Sequence, residues 1–132
     1  MSHAIPSSAY PSSAGDSAAF HLAHPGTPMS LDDLLDLHTP HTYIVRAHGD
    51  GMTGAGIHDN DLLVVDRSLL AESGEVVVAA VNGEPLIRRL DIIDGTFALV
   101  AANERYPAIR IVEGDELSIW GVVRWNLHCL VN

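Results

Sequence analysis

Histidines, closely spaced aspartates and a single cysteine are the side chains of this 132-residue chain that could take part in chemistry. His21 and His24 are three residues apart, as are His38 and His41. Neither pair has a second group of ligands at a spacing typical of a metal site. We therefore predict surface histidines rather than a metal centre, and we expect no cofactor.

Paired carboxylates can perform acid–base catalysis, and Asp59, Asp61 and Asp66 lie close enough in sequence to suggest it. They flank a turn-rich loop and an apolar strand, which favours a hydrogen-bonded structural role instead. Cys129 has no second cysteine with which to form an internal disulfide. Its apolar surroundings, "LHCLV", predict a small buried side chain rather than a reactive thiol.

The charge of the chain excludes one common class of function. Its formal net charge is −10, from 17 acidic and 7 basic residues, and it contains no lysine. Sequence-independent DNA binding needs basic side chains to neutralise phosphates, so we expect no direct DNA binding. No apolar run approaches the about 20 residues that span a membrane, and no signal peptide is evident. We expect a cytoplasmic protein with no membrane contact.

The composition changes near position 29 and predicts two regions. Residues 1–29 are rich in Pro, Ser and Ala and predict a flexible N-terminal arm. Residues 30–132 predict a folded domain that opens with a helix of about two turns. In that helix Ser30 is the expected N-cap, and Pro40 ends it.

The rest of the second region predicts a mainly β fold. We expect an all-β barrel or sandwich-like body of about seven short strands, with one short helix and the extended arm. Asn82-Gly83 predicts a hairpin with a type I′ turn. The strand predictions cover residues 42–47, 62–66, 75–81, 85–90, 96–101, 108–112 and 117–125, all rich in β-branched residues.

Six motifs follow one another along this region: "GDGM", "GIHDNDLLVVD", "EVVVAAVNGEP", "IRRL", "ANERYPAI" and "LSIWGVV". In this order they resemble the peptidase S24 family of LexA-type autoproteolytic domains, and its UmuD-like branch above all. The resemblance implies a small LexA/UmuD-like β body. It also implies an enzyme in which a serine attacks a bond in the N-terminal arm and a neutral lysine removes the proton of that serine.

Both catalytic residue types are replaced in this chain. The position that matches the serine is Gly51, which has no nucleophile, and the position that matches the lysine is Arg88. A guanidinium stays protonated because its pKa lies above about 12, so it cannot act as the base. Backbone N–H groups of the turn at Gly51 and Met52 are the expected oxyanion site. We therefore predict that the chain as written does not cleave itself.

Several alternatives remain open. The chain is either a naturally inactive relative or an active Ser-Lys autopeptidase in which the two positions were engineered. Gly51 could also be a simple turn glycine with positive φ. If Arg88 points inward, it should contact a carboxylate or water; Arg89, its neighbour on the strand, would then face outward.

The cleaved bond implied by the resemblance lies in the arm. The segment "SSAYPSS" places it between Ser8 and Ala9, and "SAGDS" offers Ala14-Gly15 as the second choice. A third possibility is that neither bond is a cleavage site.

The resemblance implies an SOS-response accessory subunit of an error-prone translesion DNA polymerase. The implied partners are a second copy in a homodimer, a Y-family polymerase subunit of the UmuC-like kind, a RecA–DNA filament and, in a heterodimer, an active homologue. Trp120 and Trp125 lie in a segment that either contributes to the dimer or is a central strand, or both. A LexA-like repressor C-terminal domain is the alternative, although residues 1–29 show no helix-turn-helix pattern.

Overall fold

A computed structural model of the protein describes residues 30–131. The predicted arm lies outside these residues, as do His21, His24 and both candidate cleavage bonds, so those expectations stay predictions. Within the described part, no helix has both the length and the apolar character needed to cross a membrane.

Seven antiparallel strands form one sheet, which confirms the mainly β fold. In chain order the strands are β1 Thr42–Arg46, β2 Leu62–Asp66, β3 Val76–Val81, β4 Glu84–Ile93, β5 Thr96–Val100, β6 Ile109–Arg110 and β7 Leu117–Leu127. Their order across the sheet is β1-β2-β7-β3-β4-β5-β6. The last long strand therefore lies at the centre of the sheet, between β2 and β3.

Two hairpin turns have the backbone that their sequences predict. Asn82 and Gly83 have φ angles of 51° and 86°, and Asp94 and Gly95 have angles of 53° and 77°. Two consecutive positive φ angles define the type I′ turn, which matches the right-handed twist of the flanking strands. These turns pair β3 with β4 and β4 with β5.

The helix is shorter than predicted, because α1 contains only the four residues Leu31–Leu34. Asp36 takes a left-handed conformation with φ of 56°, which ends the helix before Pro40 is reached. Asp36 also accepts a hydrogen bond from Arg124 of β7 at 3.2 Å. Only Leu35 is buried in this segment.

The apolar core consists of two clusters on opposite faces of the sheet, because neighbouring strand residues alternate in direction. Val77 and Val78 thus belong to different clusters. The first cluster contains the buried residues Ala47, Met52, Ile57, Leu63, Val65 and Val78, and the second contains Val77, Ala79, Leu90, Leu99 and Val122. Met52 and Ile57 of the first cluster come from the loop between β1 and β2, so this cluster supports that loop.

Strand β7 carries two bulges that redirect its side chains. Its pairing with β3 skips Trp120, and its pairing with β2 skips Arg124. Beside the first bulge, a Cβ atom on Gly121 would lie 2.6 Å from Cγ1 of Val65 and 2.9 Å from the carbonyl oxygen of Asp66. Only glycine allows β2 and β7 to approach this closely.

Candidate active site

The turn that follows β1 is fixed to the segment that follows β5. The N–H of Ala102 donates to the carbonyl of Gly51 at 2.9 Å, and the N–H of Gly54 donates to the carbonyl of Ala102 at 2.7 Å. The side-chain amide of Asn103 donates to the carbonyl of Asp50 at 2.9 Å. These three bonds hold the backbone on both sides of Gly51.

Strand β4 brings Arg88 directly against Gly51. A Cβ atom built on Gly51 would lie 2.7 Å from Nη1 of Arg88 and 3.3 Å from its Nη2. The guanidinium therefore occupies the space that a side chain at position 51 would enter. Arg88 is half-buried whereas Arg89 is exposed, as their alternation along the strand predicts.

The backbone does not require glycine at position 51. Gly49 has a positive φ of 85°, whereas the φ of Gly51 is not positive. The simple-turn explanation therefore applies to Gly49 and fails for Gly51. The missing side chain at position 51 makes room for the guanidinium instead.

Arg88 has partners other than the carboxylate or water expected for an inward-facing arginine. Its Nη1 donates to the carbonyl of Ile87 at 2.8 Å, and its Cζ lies 5.5 Å from the centre of the Tyr106 ring. Its buried Nε has no hydrogen-bond partner among the residues that the structure describes. Arg88 makes no ion pair with any carboxylate in the part of the chain described.

The nearby carboxylate of Asp50 is engaged by other groups. It accepts hydrogen bonds from the hydroxyl of Tyr106 at 2.5 Å and from Nη1 of Arg105 at 3.2 Å. The hydrogen bond from Tyr106, helped by the charge of Arg105, lowers the pKa of Asp50 below its usual value. The same bond raises the pKa of Tyr106, so a negative charge at Asp50 and a neutral phenol are favoured together.

Gly51 and Arg88 line the same cleft, which has a volume of about 460 Å³. Its walls are mainly apolar and include Trp120, which the first bulge of β7 carries. No hydrogen bond within residues 30–131 uses the N–H of Gly51 or of Met52. Their role as an oxyanion site stays a prediction, but both donors remain without an acceptor in the described structure.

The residues present at this site cannot perform the dyad chemistry that the resemblance implies. Gly51 offers no hydroxyl, and Arg88 stays positively charged, so neither a nucleophile nor a base is available at these two positions. The guanidinium of Arg88 places a positive charge in the cleft. Thr53, the nearest hydroxyl along the chain, donates to the carbonyl of Asp50 at 3.1 Å and so holds the turn.

The three clustered aspartates have structural roles, as predicted. Asp59 accepts from the N–H of Gly49 at 2.7 Å, and Asp66 accepts from both the N–H and the hydroxyl of Ser68. Asp61 is buried and accepts from the N–H of His58 at 2.8 Å. Together these bonds shape the loop between β1 and β2 and the end of β2.

The remaining reactive side chains give two further results. Cys129 is exposed, so the prediction of a buried thiol was wrong. It lies beyond the end of β7, where its Sγ donates to the carbonyl of Val131 at 2.9 Å and no strand covers it. His38 and His41 contact Asp33 and Asp66, and no group of three or more potential ligands within residues 30–131 is placed to hold a metal ion.

The residues that contact the turn and the guanidinium were not predicted as site residues. They are Asn103, Arg105 and Tyr106, which belong to the "ANERYPAI" motif. Their polar character between two strands was the available signal. It indicated a turn, and only the fold shows that this turn lies against Gly51 and Arg88.

Comparisons with known proteins found a matching family model and similar sequences. The Peptidase S24-like family model matches residues 10–124. The LexA repressor of Alcanivorax borkumensis is 41% identical over 81 residues, which cover 61% of this chain and 39% of that protein. Protein MucA of Salmonella typhimurium is 36% identical over 100 residues, which cover 75% of this chain and 68% of that protein. The chain thus spans about two fifths of that LexA repressor and about two thirds of MucA.

Proposed function

Since this chain belongs to the Peptidase S24-like family, as a domain of the LexA/UmuD type, we propose that it is a UmuD-like accessory subunit whose self-cleavage site is inactive. It would serve an error-prone translesion DNA polymerase in the SOS response. The inactive site would keep its N-terminal arm uncut.

The observation that carries the proposal is the position of the Arg88 guanidinium, 2.7 Å from where a Cβ atom of residue 51 would lie. Two residues far apart in the sequence meet in one cleft, and the resemblance assigns these same two positions to the nucleophile and the base. Loss of a serine-protease nucleophile or base can cost about a millionfold in rate. With both groups absent, self-cleavage should not occur.

The UmuD-like branch is favoured over the repressor branch by the extent of the match. The region aligned with MucA covers 75% of this chain and the region aligned with the LexA repressor covers 61%, so more of this chain is similar to the former protein. By resemblance, the proposed partners are a second copy of the chain, a UmuC-like Y-family polymerase subunit and a RecA–DNA filament. A heterodimer with an active homologue belongs to the same proposal.

Restoring both catalytic groups tests the proposal. We expect the unmodified chain to stay at full length at alkaline pH, with and without RecA–DNA filaments. The Gly51→Ser/Arg88→Lys variant should be shortened at Ser8–Ala9 or at Ala14–Gly15, as read by intact mass. Alkaline pH is chosen because the introduced amine must be neutral to act as a base.

A Gly51→Ala/Arg88→Lys variant is the matched control, since it has the amine without the hydroxyl and should remain intact. Self-cleavage of the unmodified chain contradicts the proposal. Efficient cleavage of the restored variant favours recent, engineered loss of the dyad, and weak or absent cleavage favours a relative that has long been inactive. An active homologue added to the same reaction shows whether the arm of this chain is cut by a partner.

The similarity to the LexA repressor supports a second candidate, a repressor C-terminal domain. Such a domain would require a DNA-binding region elsewhere. The charge of this chain opposes DNA binding by the chain itself, so both candidates predict that this chain alone does not bind DNA. Binding of a UmuC-like polymerase subunit to the full chain would distinguish the accessory subunit from the repressor domain.

A further inference from the structure

Among residues 30–131, no carboxylate forms an ion pair with the guanidinium of Arg88. The guanidinium is half-buried, and within this part of the chain its one hydrogen bond goes to the carbonyl of the preceding residue and its shielded Nε has no acceptor. Partial burial of an unpaired charge and of an unsatisfied donor is unfavourable. The carboxylate of Asp50, the residue that precedes Gly51, is already bound by Arg105 and Tyr106.

The surroundings of this charge form a site with several donors. Gly51 and Met52 line the cleft together with Arg88, and their two N–H groups have no acceptor within residues 30–131. Because Gly51 has no side chain, the terminal nitrogens of the guanidinium lie only 2.7 and 3.3 Å from the position that a Cβ atom of this residue would take. Fixed backbone donors beside an arginine are a common arrangement for holding an anion.

We propose that the cleft binds a carboxylate attached to a small apolar group, with Arg88 as the main anchor and the N–H groups of Gly51 and Met52 as supporting donors. A planar guanidinium matches the two oxygens of a carboxylate in a bidentate pair. Arg46 and His48 also line the cleft. Its other walls are mostly apolar, with the aliphatic side chains of Val45, Ile57 and Val78 among them. These walls suit a hydrocarbon group and disfavour a strongly hydrated anion such as phosphate.

This inference deepens the proposed function, since it assigns a ligand class to the cleft that no longer cleaves. The carboxylate could belong to this chain or to another molecule. Residues 1–29 contain one acidic residue, Asp16, which is the only intramolecular source in that segment. An acidic peptide or a small organic acid would be an external source.

The test uses 3-methylbutanoate as the probe and 3-methylbutanamide as its uncharged counterpart, added to the full chain. We expect the acid to shift the Nε–Hε NMR signal of Arg88 in a saturable manner, and the amide and inorganic phosphate to shift it by much less. Arg88→Gln should weaken binding of the acid at least about tenfold, because the charge-assisted pair is lost. Arg89→Gln is the matched control and should change the affinity by less than about twofold, since it faces away.

Equal responses to the acid and the amide overturn the inference, as does equal weakening by the two arginine variants. If Arg88→Gln fails to fold, the difference between the responses to the acid and to the amide in the unmodified chain still tests whether the cleft binds a carboxylate. Asp16→Asn assigns the source: tighter binding of the probe identifies Asp16 as a competing ligand, and unchanged binding identifies an external one. Self-cleavage of the unmodified chain would contradict the proposed function alone, because carboxylate binding is measured without it.

Discussion

Glycine occurs at positions 51 and 54 for different physical reasons. At Gly51, an added Cβ would meet the far end of the Arg88 side chain, which can move. At Gly54 it would lie 2.6 Å from the carbonyl oxygen of Ala102, which is fixed by the hydrogen bond that Gly54 itself donates. Neither residue has positive φ, so the comparison isolates the effect of the neighbouring atoms.

Alanine at the two positions should therefore have unequal effects on stability. We expect Gly51→Ala to change the free energy of unfolding by less than about 1 kcal/mol, because lost backbone freedom in the unfolded state offsets the displacement of Arg88. Gly54→Ala should lower the free energy of unfolding by about 1–3 kcal/mol, as overpacking against backbone does. Urea unfolding of the two variants measures the difference. An equal or reversed order would show that Arg88 is held rigidly against the turn.

At the scale of elements, a buried carboxylate connects the end of β7 to the loop before β2. Asp61 accepts from the side-chain amide of Asn126 at 2.8 Å and shares a hydrogen bond with Nδ1 of His128 at 2.5 Å. Burial raises the pKa of Asp61, but the bonds from His58, His128 and Asn126 outweigh it, and the net pKa is lowered. This carboxylate therefore connects the C-terminal end of β7 to the loop between β1 and β2.

The lowered pKa gives the sign of a pH dependence. Asp61 is more acidic in the folded protein than in the unfolded chain, so its contribution is complete above about pH 4 and is lost as the pH falls through the folded pKa. We expect Asp61→Asn to lower the free energy of unfolding at pH 7 by about 1–3 kcal/mol. The reason is that the NH2 group of the new amide would replace an oxygen that now accepts hydrogen bonds, and would face other donor groups. The variant should also lose less stability than the unmodified protein on acidification below about pH 4. Urea unfolding between pH 7 and pH 3 tests both parts.

Asp59→Asn is the control, since Asp59 lies in the same loop but is exposed and receives only one hydrogen bond, from Gly49. Its effect at pH 7 should be below about 1 kcal/mol, in the range of an exposed surface change. An equal loss of unfolding free energy in the two variants would show that the hydrogen bonds between Asp61 and the end of β7 contribute no stability.

The strands could be predicted from the sequence because each is a short run of β-branched residues ended by turn residues, as at Asn82-Gly83. The end of α1 could not, because it depends on the left-handed backbone of Asp36 rather than on Pro40. The bulge at Trp120 was equally hidden, since register arises from packing against neighbouring strands. The resemblance selected Gly51 and Arg88, and only the fold shows their contact.

At the scale of the whole molecule, charge determines which large partners the chain can bind directly. The net charge is −10, and the seven basic residues are all arginines spread between Arg46 and Arg124. Two of them, Arg105 and Arg124, are paired with Asp50 and Asp36, which reduces their availability to phosphates. Any association with DNA in the proposed function would therefore pass through partner proteins, the RecA filament and the polymerase subunit.

A binding measurement with DNA alone tests this conclusion. We expect no change in fluorescence anisotropy of a labelled duplex with up to about 100 µM protein at physiological salt, whereas DNA-binding proteins associate non-specifically at about 1–100 µM. Repulsion between an acidic protein and the phosphate backbone is the reason, and lowering the salt should not restore binding because screening is then weaker. Within the described residues, α1 is the only α-helix, and its four residues are too few for a recognition helix. Saturable binding that weakens steeply with salt would contradict this conclusion and would require a basic surface that residues 30–131 do not present.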